Sequence, residues 1–291
     1  MTPTPPSEIL ARIRDALELA VGAISRFMPA DTKVDFKFGD DPVTQADRAA
    51  DGLLREVLVR DGEGWLSEES ADDLTRLKKT RVWVVDPIDG TREFVAGIPE
   101  WCVSVGLIDN GQAIAGGICN PATRETFIGS LETGVTYNGK GACARRGEAL
   151  SGATVLASRS EVKRGEWEQF RNGPFAIRPM GSIGYKLALV AAGLADATWT
   201  LTPKHEWDVA AGVALVKAAG GVAQKLGNSL LSFNNRQPLL PNLLASGPCL
   251  AEKLSSYLIR HTERRCKTTE SCEPSVGEFP PFGAGSLWGR E

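Results

Sequence analysis

The sequence predicts an α/β protein with two lobes and a C-terminal tail, and one observation supports each of these three parts. Residues 103–130 carry strand-like apolar runs joined by the hairpin signal Asn110-Gly111. Residues 155–261 instead alternate short apolar runs with helical patterns, which is typical of α/β layers. The remaining C-terminal residues lose all periodicity and are rich in Gly, Pro, Ser and Glu. We therefore expect one lobe over 1–150, a second over 151–262 and a disordered tail over 263–291.

The first lobe is predicted to place two helices on an antiparallel-rich sheet. Apolar residues recur at helical spacing over 8–28, where Ser7 fits the N-cap, and a second helix is expected from Val43 to about Arg60. Strands are expected at Gly62–Ser67, 81–86, Val103–Ile108, Ala113–Ile118 and Glu125–Gly129.

The second lobe is predicted to alternate strands with helices. The expected strands are Val155–Ala157, Phe175–Arg178, Ala197–Leu201, Gly221–Lys225 and Leu243–Ser246. The expected helices are Val162–Arg171, Ile183–Ala192, Trp207–Ala219 and Leu250–His261.

Composition and charge exclude several classes of function. The chain has 291 residues and a formal net charge of −3, so it carries no basic footprint for a nucleic acid polymer. No apolar run reaches the roughly 18–20 residues that span a membrane, and the N-terminus lacks the basic start and apolar segment of a signal peptide. The six cysteines form no C-x-x-C pair, and two histidines are too few for a histidine-rich zinc site. We therefore expect a protein of the reducing cytoplasm.

The most informative stretch is Arg81-Val-Trp-Val-Val-Asp86-Pro-Ile-Asp89-Gly-Thr91. Its apolar run suits a buried strand, and Pro87 is expected to stop the pairing because proline has no N–H to donate. Two carboxylates about 4 Å apart repel by roughly 4 kcal/mol at an effective dielectric of about 20, so a proton or a cation must offset them. Mg²⁺ binds through carboxylates and often shares its site with phosphate. Because the backbone N–H groups of Gly90 and Thr91 suit a phosphate, the spacing predicts metal-dependent phosphate chemistry.

Each acidic residue also has a purely structural interpretation. Asp, Pro and Gly are common in turns for backbone reasons alone. Asp47 stands three residues after Thr44 and fits a capping box. Glu68 fits a solvated loop, and Asp208 fits the dipole of a helix start. Their joint occurrence in one chain favours a shared metal site over separate structural roles.

Four segments together resemble the inositol monophosphatase superfamily of Mg²⁺-dependent, lithium-sensitive phosphatases. They are Pro42-Val-Thr-Gln-Ala-Asp47, Leu66-Ser-Glu68-Glu-Ser70, Trp83-Val-Val-Asp86-Pro-Ile-Asp89-Gly-Thr91 and Trp207-Asp208-Val-Ala-Ala-Gly212, in the family's order and spacing. The resemblance covers about residues 8–262 and implies a layered α/β/α/β/α sandwich with the metal site between two pseudo-lobes. It also implies a hydrolase that acts on a small phosphate ester with two Mg²⁺ ions or three, and that often forms a homodimer.

The resemblance implies a role for each matching residue. Glu68, Asp86 and the carbonyl of Ile88 would hold the first Mg²⁺, whereas Asp86, Asp89 and Asp208 would hold the second. Asp47 and Thr91 would orient the attacking water, and the N–H groups of Gly90 and Thr91 would bind the phosphate. Glu68 would also touch a third ion. In the family, a Lys-x-Asp pattern in the loop before Pro42-Val-Thr belongs to the site of that ion, and here this pattern is displaced. Lys37 fits, but Gly39 stands where Asp is expected, beside Asp40.

Other motifs resemble the bacterial 3'(2'),5'-bisphosphate nucleotidases, which convert 3'-phosphoadenosine 5'-phosphate to AMP. These motifs are Ser67-Glu-Glu, Asp89-Gly-Thr-Arg92-Glu93-Phe94, Ser158-Arg-Ser160 and Gly181-Ser-Ile-Gly-Tyr-Lys186. A second phosphate needs a cationic partner, and Arg92, Arg159 and Lys186 are the candidates. The same motifs offer Ser158, Gly181 and Ser182 as further substrate contacts.

Inositol-1-phosphate and fructose-1,6-bisphosphate are the alternative substrates. Inositol monophosphatases usually carry Gly-Glu-Glu at the first ligand and tend to carry a Glu seven residues before the last metal aspartate. Here Ser67-Glu68-Glu69 and Leu201 stand at those places. A function of another class is a non-catalytic metal- or nucleotide-binding regulator on the same scaffold. The intact ligand set and Thr91 argue against that function.

Overall fold

The computed structural model describes residues 5–27, 34–36 and 42–269. Its N-terminal half contains α1 (Pro6–Ile24), β1 (Val34–Phe36), β2 (Pro42–Thr44), α2 (Gln45–Leu58), β3 (Gly64–Ser67), β4 (Arg81–Asp89), α3 (Thr91–Val95), β5 (Cys102–Asp109), β6 (Gln112–Asn120), β7 (Glu125–Ser130), β8 (Gly134–Tyr137) and β9 (Lys140–Ala142). Its C-terminal half contains β10 (Thr154–Ser158), α4 (Arg159–Lys163), β11 (Ala176–Met180), α5 (Ile183–Ala191), β12 (Ala197–Thr200), β13 (Lys204–His205), α6 (Glu206–Ala218), β14 (Val222–Gln224), β15 (Leu239–Leu240), β16 (Leu243–Ser246) and α7 (Ala251–Thr269).

Two separate sheets organise these elements. The first has seven strands in the order β3-β4-β5-β6-β7-β8-β9, and only its β3–β4 pair is parallel. The second has five strands in the order β11-β10-β12-β16-β14, with β10 parallel to both of its neighbours. The first sheet thus draws its strands from the N-terminal half and the second from the C-terminal half. Among the described residues, β1 with β2 and β13 with β15 form two further small antiparallel sheets.

Alternate residues of the buried strands face opposite layers, as the two-residue period of a strand requires. In β4, Val82 and Val84 pack in the core that contains α5 and α6, whereas Trp83 and Val85 pack in the core that contains α1 and α2. Every residue of α5 is buried, because this helix lies between the two sheets.

The second sheet is covered on its other face by α7. Leu156 of β10 belongs to the central core, whereas its neighbour Val155 packs with Trp199 and with Leu254 of α7. The layers therefore run from α1 and α2, through the first sheet, α5 and α6, and the second sheet, to α7. The predicted α/β/α/β/α sandwich is confirmed.

Gly116 of β6 lets α6 lie unusually close to the first sheet. A Cβ built on Gly116 would stand 2.5 Å from the carbonyl oxygen of Ala211, and one on Gly106 of β5 would stand 2.8 Å from the Ala211 nitrogen. No side chain fits at either place unless the helix moves. This close approach fixes the height of α6 above the sheet and therefore the place where α6 begins.

The structure corrects several predicted element boundaries. Pairing of β4 with β5 does not stop at Pro87: it breaks there as a bulge and resumes at Asp89, opposite Cys102. The predicted helix Val162–Arg171 is instead the short α4 followed by a 3-10 turn over Glu168–Phe170, with Gly165 at positive φ between them. The chain also forms β8 and β9, which the sequence did not predict.

The last helix is longer than predicted. It was expected to end at His261, but α7 continues to Thr269, through residues that were assigned to the tail. The added stretch contains neither Gly nor Pro, so nothing in its backbone chemistry ends the helix. The rest of the predicted tail, and the loop residues Lys37, Gly39 and Asp40, lie outside the described residues.

Candidate metal centre and phosphate site

Three carboxylates from distant parts of the chain meet at one point. Oxygen atoms of Glu68, Asp86 and Asp208 all lie within 4.8 Å of one another. Glu68 follows β3, Asp86 lies in β4 and Asp208 lies in the first turn of α6. We call these three residues the carboxylate trio.

The loop that carries Glu68 is held in place by Asp51 of α2. Asp51 is buried and accepts a hydrogen bond from the Ser67 hydroxyl at 2.5 Å and another from the Ser70 hydroxyl. The Glu68 N–H donates to the carbonyl of Val85 at 3.4 Å, which continues the pairing of β3 with β4. Asp51 therefore holds the loop on both sides of Glu68. Asp51 stands in none of the sequence motifs described above.

Asp86 lies at the bulge that Pro87 makes in β4. Its Oδ1 accepts a hydrogen bond from the Ile88 N–H at 3.0 Å. Burial raises the pKa of the Asp86 carboxyl well above its usual range, and the charges of Glu68, Asp89, Asp208 and Asp47 raise it further.

Asp208 has a capping role as well as a place in the trio. Its Oδ2 accepts a hydrogen bond from the backbone N–H of His205, the N-cap residue of α6, at 2.9 Å. Its position in the first turn is electrostatically favourable for a negative charge. Burial raises the pKa of Asp208 well above its usual range, and the charges of Asp89 and Glu68 add to this effect. The capping bond of Asp208 is therefore compatible with a role as a metal ligand.

The chemistry of the trio fits a divalent cation. All three donors are carboxylate oxygens, which hard cations prefer. Burial first, and then the neighbouring negative charges, raise the pKa values of Asp86 and Asp208, so the ionised carboxylates are unfavourable when nothing neutralises them. A bound cation would offset this cost, and the residues present therefore fit the metal that the sequence predicted.

A turn suited to binding phosphate comes directly after β4 in the chain. Gly90 has φ 99°, a conformation that disfavours any residue with a side chain, and a Cβ there would stand 3.1 Å from the carbonyl oxygen of Glu100. Thr91 starts α3, and its hydroxyl donates to the carbonyl of Ile88 at 3.0 Å. The predicted phosphate contact Gly90-Thr91 and the predicted Ile88 ligand thus lie on one turn beside Asp86.

Asp89 does not belong to the carboxylate trio. Its Oδ2 accepts a hydrogen bond from the Ser182 hydroxyl at 2.7 Å and another from the Gly184 N–H at 2.6 Å. These bonds tie β4 to the start of α5. The second predicted ion set is therefore brought together only in part, with Asp86 and Asp208 in the trio and Asp89 anchored to α5 through one oxygen.

Lys186 supports the Met180–Ser182 turn. The ammonium group is buried and donates to the carbonyls of Met180, Gly181 and Ser182 at 3.3, 3.1 and 2.8 Å. Burial lowers the pKa of Lys186 to about 8. This geometry differs from the predicted phosphate contact, because all three N–H donors are already used by carbonyls.

Lys186→Met should therefore loosen this turn. The substitution keeps the apolar volume but leaves three carbonyls without their donor, in a turn where Ser182 has the unfavourable φ of 44°. We expect a loss of about 1–3 kcal/mol of stability and a higher Mg²⁺ requirement, since the turn also holds Asp89. Thermal unfolding and Mg²⁺ titration of activity measure both. Lys217→Met, in the last turn of α6, is the control. An unchanged Tm together with an unchanged Mg²⁺ requirement in Lys186→Met would remove this role from Lys186.

The predicted site residues share one cleft of about 290 Å³, apart from Asp47. Asp47 is buried in α2 and does not line the cleft, but it lies near enough for its charge to raise the pKa of Asp86. Those that line the cleft are Glu68, Asp86, Ile88, Asp89, Gly90, Thr91, Arg92, Ser158, Arg159, Gly181, Ser182, Lys186 and Asp208.

The cleft also contains residues that the sequence did not lead us to propose as contacts, although all but Lys204 stand in motifs quoted above. Glu93, Ser160, Ile183 and Lys204 line it as well. Lys204 stands four residues before Asp208, so its closeness to a predicted metal ligand in sequence was the available signal.

The comparisons with known proteins agree with this geometry. The model of the protein family described as "Inositol monophosphatase family" matches residues 9–265. The chain belongs to the inositol monophosphatase family. An inositol-1-monophosphatase from Rhizobium meliloti is 34% identical over 198 residues, which cover 65% of this chain and 74% of the relative.

Two further comparisons, one with a curated protein and one with a solved structure, support the same family. A 3'-phosphoadenosine 5'-phosphate phosphatase from Mycobacterium tuberculosis is 36% identical over 214 residues, covering 71% of this chain and 76% of the relative. The crystal structure of extragenic suppressor protein suhB from Bartonella henselae superposes with a TM-score of 0.73 at 27% identity, covering 86% of this chain and 97% of that protein.

This family member is thus a phosphatase hydrolase with relatives of more than one named activity. Among its described residues, none of the helices is long and apolar enough to cross a membrane.

Proposed function

We propose that this phosphatase is a Mg²⁺-dependent 3'(2'),5'-bisphosphate nucleotidase that converts 3'-phosphoadenosine 5'-phosphate to AMP. One observation carries the proposal: a single cleft joins the carboxylate trio to basic side chains, Arg92, Arg159 and Lys204 among them. The acidic part suits metal ions and a reacting phosphate, and the basic part suits a second phosphate on the same molecule.

The carboxylates account for the metal requirement. Glu68 and Asp86 would hold one ion with the carbonyl of Ile88, and Asp86 and Asp208 would hold the other with Asp89. Two ions held in this way would supply a lowered pKa for a bound water and would offset negative charge on the phosphate and on the leaving oxygen.

The residues next to these carboxylates account for the orientation of the phosphate and of the attacking water. The backbone N–H groups of Gly90 and Thr91 would donate to the phosphate oxygens. The Thr91 hydroxyl would accept a hydrogen bond from the attacking water and donate its own proton to the buried Asp47 carboxylate instead of to the Ile88 carbonyl. No protein nucleophile is required, so no covalent enzyme intermediate forms.

The place of Leu201 favours a nucleotide over inositol phosphate. Leu201 stands seven residues before Asp208, where an inositol phosphatase tends to carry a glutamate for the inositol hydroxyls. Here Leu201 packs against the aromatic cluster of Trp167, Phe170 and Trp199. It therefore offers no polar contact to a polyol. The relatives named as 3'-phosphoadenosine 5'-phosphate phosphatases give further support.

A substrate panel tests the proposal. We expect the highest kcat/KM for 3'-phosphoadenosine 5'-phosphate, with lower values for inositol-1-phosphate and fructose-1,6-bisphosphate, and no phosphate release when Mg²⁺ is chelated. Equal or better turnover of inositol-1-phosphate would overturn the nucleotide assignment. The absence of Mg²⁺-dependent release from every ester would instead favour a non-catalytic regulator.

A further inference from the structure

Lys204 has a buried support of its own within the cleft. Its ammonium group pairs with Glu161 at 3.0 Å, and Glu161 is only 2% exposed. The Glu161 carboxylate also accepts hydrogen bonds from the Thr200 hydroxyl at 2.6 Å and from the indole N–H of Trp167 at 3.1 Å. Such a fully bonded carboxylate holds its lysine in one place rather than leaving it to move on the surface.

The Lys204 ammonium keeps donors for a ligand. Among the described residues, Glu161 is the one side chain to which the structure gives it an ion pair or hydrogen bond. An ammonium group has three N–H donors, so two remain. The side chain is 19% exposed and lines the cleft, so these donors are accessible from it.

Arg159, which also lines the cleft, adds an unused donor. Its Nη2 donates to Glu100 at 2.5 Å, but its Nε is buried and has no hydrogen-bond partner among the described residues. A buried N–H without an acceptor is costly, and a ligand oxygen would satisfy it. Ser158, which precedes it, has a hydroxyl 3.0 Å from that of Ser160, and both serines line the cleft.

We propose that Lys204, with Arg159, Ser158 and Ser160, forms a subsite for a second, non-reacting phosphate of the substrate. This inference rests on the proposed function and names the residues that would recognise bisphosphorylated esters. A phosphate dianion matches the subsite because it brings several acceptor oxygens to two cations and two hydroxyls. Lys186 is not part of the subsite, since its donors are used by the carbonyls of residues 180–182.

The test compares substrates that differ only in the second phosphate. One pair is adenosine 3',5'-bisphosphate and adenosine 3'-monophosphate; the other is fructose-1,6-bisphosphate and fructose 1-phosphate. The readout is the ratio of kcat/KM for the bisphosphate to that for the monophosphate, in wild type and in Lys204→Met. We expect this ratio to fall by about 10- to 100-fold in the variant, the range for losing a hydrogen bond to a charged group.

The ratio also separates recognition from folding. Lys204→Met leaves the buried Glu161 without its partner, so the variant is expected to be less stable. Because both substrates meet the same enzyme preparation, a loss of folded protein cancels in the ratio. The double variant Glu161→Gln/Lys204→Met removes both charges and should show the same lowered ratio. Lys204→Arg should recover most of it, and Lys163→Met, an exposed lysine on α4, should leave it unchanged.

The outcomes distinguish this inference from the proposed function. If the wild type prefers bisphosphates and Lys204→Met keeps that preference, the subsite is wrong while the nucleotidase proposal stands. If only the fructose pair shows a preference that depends on Lys204, the nucleotidase proposal falls and the subsite stands. If the wild type shows no preference within either pair, the subsite is overturned.

Discussion

Asp86→Asn is expected to reduce kcat by more than about 100-fold. Asp86 is the carboxylate that both predicted ion sets share, and an amide is a much weaker ligand for a hard cation. Loss of a residue that merely supports a metal ligand typically costs about 10- to 100-fold, so loss of a shared ligand should cost more. Steady-state kinetics at saturating Mg²⁺ measure this effect.

The same substitution should stabilise the metal-free protein. Burial and the charges of Glu68, Asp89, Asp208 and Asp47 raise the pKa of Asp86, which means that its ionised form is unfavourable in the fold. An amide of the same shape removes one of the repelling charges. Tm in the presence of a chelator should therefore rise relative to wild type, whereas the increase in Tm on adding Mg²⁺ should shrink.

These opposite effects separate a metal ligand from a structural residue. A purely structural aspartate would lose stability and activity together on substitution. Glu132→Gln, an exposed acid that does not line the cleft, is the control and should change neither quantity. Wild-type kcat in Asp86→Asn, or an undiminished increase in Tm on adding Mg²⁺, would contradict the role assigned to Asp86.

Gly116→Ala is expected to cost about 1–3 kcal/mol of stability, which is the usual range for overpacking a buried site. The added Cβ would stand 2.5 Å from the Ala211 carbonyl oxygen and 2.9 Å from the Ala211 Cα, so α6 must move away from the sheet. Backbone atoms cannot rotate out of the way as a side chain can. Because Asp208 lies in the first turn of α6, the movement should also raise the Mg²⁺ concentration needed for half-maximal activity.

A second glycine-to-alanine change provides a matched control with the opposite sign. Gly52 lies in the middle of α2, and a Cβ there would meet nothing within 4 Å. Gly52→Ala should therefore stabilise the protein by about 0.5–1 kcal/mol through helix propensity alone. Chemical denaturation of both variants measures the difference, and equal stabilities would show that α6 does not depend on the space at Gly116.

The fold was predictable wherever a strong hydrophobic pattern fitted only one kind of secondary structure. The buried run before Asp86, the Asn110-Gly111 hairpin and the apolar helices of the second lobe carry such patterns, and all of them appear in the structure. The helix predicted over 162–171 failed because Gly165 adopts positive φ and ends α4 early. The bulge at Pro87 depends on pairing with β5, so the local sequence alone did not show that pairing resumes at Asp89.

The site was predictable to the extent that its residues lie in recognisable motifs. Glu68, Asp86 and Asp208 were identified because each stands in such a motif, and the structure brings them together. Asp51 and Lys204 were missed because their roles depend on partners that are distant in sequence, Ser67 for one and Glu161 for the other. Lys186 was assigned to phosphate from its charge, although its donors are used inside the fold.

The central claim is that Glu68, Asp86 and Asp208 hold the divalent ion that phosphate hydrolysis requires. A crystal structure of the protein soaked with Mn²⁺, which shows an anomalous signal, tests this claim most directly. We expect a strong anomalous peak between these three carboxylates, together with Mn²⁺-supported phosphate release in solution. The absence of a peak there, in crystals of protein that releases phosphate with the same ion, would contradict it.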